Sequence, residues 1–476
     1  MWTNRCIADA IGLIKAGLRS ADPFESVQQA LQIHSSKRPP AKRVALNSPR
    51  SGEFKVGTSV LTSLGSRTTG RASGLKINQL SITDIFGQTS CLNLDTFHHI
   101  YVVGAGKATA RMAKGLEACL GERIDDGHII VKYGQLESFN RIHCWEAGHP
   151  IPDEKSLIAT EEVIQLCKKA QTDDLVIGLI SGGASSLLEK PLDSIQLDEL
   201  QEIHTHLIRS GAAIDEMNAL RSYFSQVKGG KLLNDVYPAT MLTLLVSDVT
   251  ADRLDVIGSG PTIPIRKPLI NARELLRKYR LESYETCHYS KQAAPSNFML
   301  TINALILNNE WVLNAILNSA KMVGYHSQVI ATQIANTVDS VARLYAQRII
   351  KHSIQENRPN CFISGGETTL AVSGKGHGGR NQELALRLLL YLLKEYDSIP
   401  DFCFISLGSD GTDGPTDAAG ALLTKQTLRN VLNQEVNPET YKDENDSYTF
   451  FQKVGGLLKT GHTGTNVMDV HILMFK

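Results

Sequence analysis

An apolar run closing in a small polar turn recurs along the chain: IYVVGAGKATARMAKGL, DLVIGLISGGASSLL, ATMLTLLVSDVTAD, LTINALILNN, NCFISGGETTLAV and DFCFISLGSDGTDG. Continuous apolar strands, rather than alternating ones, suit a sheet covered on both faces, and helical spacing between them supplies the cover. The pattern predicts an α/β architecture with largely parallel sheets. Ligands of such sheets collect beyond the carboxyl ends of the strands, where these glycines fall. At 476 residues the chain exceeds one ordinary core, so two domains, or three, are expected. VIGLISGGASSLL and NCFISGGETTLAV share a strand, Ser-Gly-Gly, two hydroxyl residues and a leucine, as two lobes facing an interdomain cleft would produce; coincidence between two strand-to-helix turns is the alternative.

Lys+Arg and Asp+Glu number 49 each, so the formal net charge is zero, which argues against nucleic acid or an anionic membrane as the principal partner. The 8 cysteines form no C-x-x-C pair, which reads as a reduced compartment without structural zinc. No apolar run approaches the roughly 20 residues of a membrane helix, and the N-terminal stretch lacks a signal-peptide core. A cytoplasmic protein is expected. Mitochondrial import stays open because that stretch has helical spacing, although Asp9, Asp22 and Glu25 count against it. Residues 36–74 are rich in Ser, Pro, Gly and basic side chains with almost no acid, and predict a disordered insertion.

Several turns carry chemistry. VVGAGKA sets Gly104 and Gly106 at a strand end and Lys107 at a helix start, so backbone amides and an ammonium meet one anion; a tight turn with a solvated lysine is the plainer reading. Ser181, Gly182, Gly183 and Ser185 offer a second nest of N–H and hydroxyl donors. A hydrolase triad is disfavoured because the G-x-S-x-G elbow is absent. Asp248 closes an apolar run where α/β enzymes put base or metal-binding carboxylates. Asp410 and Asp413, between glycines after another strand, present hard oxygens suited to Mg²⁺, with Asx turns as the alternative. GKGHGGRNQELAL packs glycines around Lys375 and Arg380 before an amphipathic helix, again a cradle for an anion or else a flexible hairpin tip.

Taken in order, VVGAGKA, GHPIPDEKS, LISGGASSLL, SQVKGGKL, VSDVTADRLDVIGSGPT, SGGETTLAVSGKGHGGRNQELAL, GSDGTDGPTDAAGA and KTGHTGTNVMD resemble the glycerate 2-kinase family, in its animal branch, over nearly the whole chain outside 36–74. The resemblance implies two Rossmann-like lobes: a glycerate-kinase N-terminal domain over 1–290, a connecting segment over 291–357 and a MOFRL-type domain over 358–476. It implies ATP-dependent phosphorylation of D-glycerate on its 2-hydroxyl, with Mg²⁺ and small-molecule partners only. By motif, Lys107 and Arg380 take the places of the family's catalytic cations. Gly104, Gly106, Ser181, Gly182, Gly183, Ser185, Asp248, Ser364, Gly365, Gly366, Glu367 and Asn381 would bind nucleotide or substrate, and Asp410 and Asp413 metal. His462 stands where the family usually has proline. Two further readings are an NAD(P)H-dependent hydroxypyruvate reductase, which lacks the third glycine of a dinucleotide turn, and a non-catalytic nucleotide-binding regulator.

Overall fold

The computed structural model describes residues 2–37, 76–263, 272–286, 301–351 and 359–475. The chain enters through helices Trp2–Ser20 and Pro23–Ala30, the second opened by Asp22, whose side chain accepts the Phe24 N–H beside a helix-starting proline. An antiparallel sheet of β1 (Leu31–Lys37), β2 (Lys76–Thr83) and β3 (Thr89–Asn93) follows. Ser36 and Lys37 thus belong to a strand, and the rest of the expected insertion lies outside the described residues. Lys37 and Lys76 are register partners, so the two ends of that segment adjoin.

Strands β4 (Ile100–Ala105), β5 (Asp126–Lys132), β6 (His143–Ala147), β7 (Leu175–Ile180), β8 (Thr240–Val246) and β9 (Thr301–Leu307) form a wholly parallel sheet in the order β6-β5-β4-β7-β8-β9. Every residue of β4, β7 and β8 is buried, because side chains alternate between two covered faces. In β4, Val102 enters one core with helix Thr109–Leu120, while Tyr101, Val103 and Ala105 enter another with helix Glu154–Lys169.

The second sheet joins β10 (His326–Ile334), β11 (Asn360–Gly366), β12 (Phe402–Gly408), β13 (Gly420–Thr424), β14 (Leu457–Leu458) and β15 (Asp469–Phe475) in the order β10-β11-β15-β12-β13-β14. It is mixed, where the run pattern leads to the expectation of a largely parallel sheet. Only β10–β11 pair in parallel; β15 lies antiparallel between β11 and β12, and β13 and β14 continue antiparallel. The span expected to connect the lobes contributes the outer strands β9 and β10, one to each large sheet.

One core crosses between the sheets. Ile177, Leu242 and Leu244 of the first join Ile363, Ile405 and Ile472 of the second, with Cys6, Ala10 and Leu13 of the N-terminal helix and Val312 and Ile316 of helix Asn309–Met322. At roughly 1.5–3 kcal/mol for each fully buried aliphatic side chain, this shared layer fixes how the strand ends of both lobes face one another. No helix among the described residues is long and apolar enough to cross a membrane.

Candidate active site

Two loops lock together at the carboxyl ends of β4 and β7. Lys107 N donates to Gly182 O over 2.9 Å, and Ala108 N donates to Ser181 Oγ over 3.1 Å, with Thr109 Oγ1 3.2 Å from the same hydroxyl. Ser181 therefore secures the start of helix Thr109–Leu120. Gly106 sits at φ 138°, and a Cβ there would fall 2.0 Å from Ser181 Oγ, so only glycine fits. At Gly182 a Cβ would lie 1.8 Å from Asp248 Oδ2, which brings the end of β8 against the same turn. Ser185 Oγ lies 2.9 Å from Ser259 Oγ, one layer beyond.

Asp248 also accepts from Asn466 Nδ2 at 2.9 Å, a contact between residues 218 positions apart. Burial pushes its carboxyl up to about 6, with Lys107 pulling the other way. Lys107 Nζ donates to Asp410 Oδ2 at 2.8 Å, and Asp410 Oδ1 accepts from Thr412 N and Oγ1, each at 2.9 Å. Burial opposes the charge on Asp410, but Lys107 and these hydrogen bonds outweigh it and hold the carboxyl below its ordinary range.

On the second lobe, Arg380 opens helix Arg380–Leu393 and grips Asp469 with two bonds, Nε to Oδ2 at 2.6 Å and Nη2 to Oδ1 at 2.9 Å; Nη2 also reaches Glu367 Oε1 at 2.7 Å. Asp469 is fully buried at the start of β15, and Glu367 follows the end of β11. A planar fork held by two carboxylates has one orientation. Close packing continues at Gly365, where a Cβ would meet Asn309 Oδ1 at 2.1 Å, and Gly366 at φ 132° follows it. Gly104 is likewise pressed against Leu179 O, 2.4 Å from where its Cβ would be.

Other expected site residues have local partners. Asp413 accepts the Asn381 and Gln382 backbone N–H groups at 3.0 and 2.9 Å and both of their side-chain amides, so its two oxygens satisfy the start of the helix that carries Arg380. Asn381 also accepts from Ser406 Oγ at 2.5 Å. Ser364 bonds Tyr345, whose hydroxyl lies 3.0 Å from His471 Nδ1, in the layer between the second sheet and helix Val338–Ile350. Among the described residues, no group of three or more His, Cys, Asp or Glu side chains converges as a ligand set for a metal. Asp248 and Asp410, which sense one another's charge, are the hard oxygens beside Lys107.

Sequence reasoning did not single out Asn466, Asp469 and His149. The first two end KTGHTGTNVMD and the third stands in GHPIPDEKS, so the motifs were visible while the partners of these side chains, far away in the chain, were not.

The family described as "Domain of unknown function (DUF4147)" matches residues 9–288, and the MOFRL family matches 360–469. A D-glycerate 2-kinase from Thermotoga maritima is 39% identical, over 80% of this chain and 91% of its own length. The glycerate kinase of Rattus norvegicus is 33% identical, over 79% of this chain and 84% of its own. Among solved structures, the glycerate kinase (EC 2.7.1.31) from Thermotoga maritima aligns with a TM-score of 0.70 at 37% identity, covering 79% of this chain and 92% of that one. A protein from Pyrococcus horikoshii OT3 aligns at 0.71 and 29% identity over 98% of both chains. In sequence along most of its length, in both family matches and in fold, this chain belongs to the glycerate 2-kinase family.

Proposed function

We propose that the protein transfers the γ-phosphoryl group of ATP to the 2-hydroxyl of D-glycerate, giving 2-phosphoglycerate and ADP. The observation that carries this is the meeting of Lys107 with Asp410 across the two lobes, over glycine-rich turns at strand ends. The relatives named for this reaction support it.

Phosphoryl transfer has a loose transition state with charge spread over peripheral oxygens, so the protein's task is placement and electrostatics. Lys107 and Arg380 would spread over the phosphoryl and substrate charges. The amides around Gly104, Gly106, Gly182 and Gly183 would cradle the remaining anionic groups, and Gly365, Gly366 and Glu367 would border the same cleft. Asp410 and Asp469 hold the two cations in register before substrate arrives, which lowers the cost of reorganisation. Asp248 and Asp410 are the residues suited to holding Mg²⁺ together with phosphate oxygens, and the chemistry it would supply is charge neutralisation. One or two carboxylates are what such a phosphate-borne ion ordinarily asks of a protein. Soluble substrates fit a cytoplasmic enzyme.

The test is turnover of the full chain with ATP, Mg²⁺ and D-glycerate, the product being identified by phosphorus NMR. Chiefly 2-phosphoglycerate is expected. Chiefly 3-phosphoglycerate, or oxidation of NADH with hydroxypyruvate and no use of ATP, overturns the reading.

A further inference from the structure

Three cations act through their charge on a single imidazole beside the Lys107 turn, and two of them form no ion pair among the described residues. Lys132 ends β5 opposite Ala147 of β6, and His149 follows two residues later. A Cβ on Gly183 would lie 3.1 Å from His149 Cδ2, 3.2 Å from its Nε2 and 3.3 Å from Lys107 Cγ, so histidine and lysine enclose the Ser-Gly-Gly turn from two sides. Arg221 lies on helix Ile214–Phe224, one turn beyond Asn218, whose Oδ1 accepts from the same Ser259 hydroxyl that meets Ser185. Burial, then Lys107 and Lys132, with a further contribution from Arg221, push His149 down to about 4, while Asp410 opposes them. The imidazole is therefore neutral near pH 7 and ringed by positive charge.

Lys107 spends its charge on Asp410. Among the described residues, neither Lys132 nor Arg221 forms an ion pair or a side-chain hydrogen bond, although Arg221 is mostly removed from solvent. Glu189, the carboxylate that Arg221 senses, is itself fully buried and bound to Lys228 at 2.6 Å. Asn218 is 9% exposed, and among the described residues its Nδ2 has no hydrogen-bond partner. A guanidinium withdrawn from water, whose one neighbouring acid is already bound by Lys228, beside an amide donor left unpaired, carries a desolvation cost that a bound anion lowers.

We propose that Arg221 and Lys132, flanking His149, form the subsite that takes the carboxylate of the acceptor and so select 2-hydroxycarboxylates over uncharged alcohols. This rests on the glycerate kinase reading above. The chemistry of the acceptor sets the place of such a subsite: its carboxylate is one bond from the carbon that bears the attacking hydroxyl, so the groups that hold it must adjoin those that hold the phosphoryl group. Lys132, His149 and Lys107 meet this condition, because Lys132 ends β5 while His149 and Lys107 each stand two residues past the neighbouring strands β6 and β4, and Arg221 adds its charge at the same imidazole. The fork of Arg221 matches the two oxygens of a carboxylate, and Asn218 Nδ2 adds a neutral donor. A nucleotide phosphate is the competing anion, and the two are separated by which Michaelis constant moves.

The experiment compares wild type with Arg221→Gln, Arg221→Lys and Lys132→Met, each checked for folding by circular dichroism. KM is measured for D-glycerate and for ATP, and calorimetry follows D-glycerate binding without nucleotide. Arg221→Gln should raise KM for D-glycerate roughly 100-fold and leave KM for ATP within about threefold, as for truncating one partner of a desolvated charge pair. Lys132→Met should raise it roughly tenfold, and Arg221→Lys should recover part of the loss. The preference for D-glycerate over its uncharged amide should fall by the same factor as affinity. An unchanged KM for D-glycerate in Arg221→Gln and Lys132→Met, or an equal rise in KM for ATP, overturns the subsite. If wild type transfers no phosphoryl group to D-glycerate, the proposed function fails; the subsite then stands only if calorimetry shows binding of D-glycerate or another 2-hydroxycarboxylate that Arg221→Gln abolishes. Absence of such binding overturns it too.

Discussion

Lys107 Nζ lies 2.8 Å from Asp410 Oδ2, and the bond joins residues 303 positions apart, one from each lobe. Both side chains are largely buried, at 18% and 14% exposure, so the pair is neither screened nor free to wander. It fixes the position of the cation and ties the two lobes together beside their strand ends. Lys107→Met is expected to lower kcat roughly 100-fold or more, the scale of one preorganised donor. Asp410→Asn keeps the shape but loosens the lysine, and kcat should fall by roughly tenfold with a lower thermal midpoint. Steady-state kinetics and thermal melts of the two variants check this; a normal kcat in Lys107→Met removes that residue from the chemistry.

Arg380 differs from Lys107 in being held by two carboxylates, Asp469 and Glu367. Arg380→Ala should lower kcat by roughly 100-fold or more and, because it strands the buried Asp469, cost about 2–4 kcal/mol of stability. The double variant Arg380→Ala/Asp469→Asn should regain most of that stability and none of the activity. Arg380→Lys should restore only part of kcat, since an ammonium cannot span both acids. Lys375, exposed in the same loop, should tolerate alanine within a few-fold. Denaturant melts beside kinetics separate the two effects, and an Arg380→Ala enzyme with normal kcat is the contrary result.

Asp248 has the opposite sign of linkage to Asp410. Its folded pKa, about 6, stands above the ordinary 3.8, so its stabilising contribution is fully present below about pH 4 and is lost as pH rises through 6. At neutral pH the ionised carboxylate is a liability because burial costs it more than Lys107 and its hydrogen bonds return. Asp248→Asn should therefore raise stability at pH 7.5 by about 1–3 kcal/mol, with the gain fading by pH 4.5, while turnover falls. Denaturant midpoints at the two pH values test it. A destabilised variant at pH 7.5 means that the charge of Asp248 is needed by the fold.

The strand ends and both cations were legible because glycine beside lysine or arginine after an apolar run is a local pattern. What these side chains hold was not. Asp469 stands in the sequence as the one acid before VHILMF, its partner Arg380 lies 89 residues upstream, and a separate strand register brings Gly366 opposite Asp469. The same insertion of β15 turns the second sheet antiparallel around it, although β11 and β12 have the apolar runs of parallel strands. The case of Asp413 is different in kind. A carboxylate between glycines looks alike whether its lone pairs face a cation or the amides of a helix start, and here four donors from Asn381 and Gln382 reach it. Ser364 illustrates alternation: in register with His471, it projects from the face of the sheet toward Tyr345.

Lys37 and Lys76 face one another at the open end of the β1–β2 pair, and the antiparallel register runs unbroken from there to Leu31 and Ile82. A hairpin whose strands already pair needs only a short turn to close it, and loop-closure entropy changes slowly with length. The intervening residues 38–75 are rich in Ser, Gly, Pro and basic side chains, a composition that offers little apolar area to bury. Replacing them with an Asn-Gly turn should leave kcat, both Michaelis constants and the thermal midpoint close to those of the full chain. The pairing continues through Leu80 and Ile82, both buried in the core shared by the two large sheets, so a misregistered hairpin would be seen at once as a lower midpoint. A large loss of turnover with the midpoint preserved is the outcome that would give 38–75 a place in the reaction, and kinetics with melting curves on the shortened chain distinguish the two.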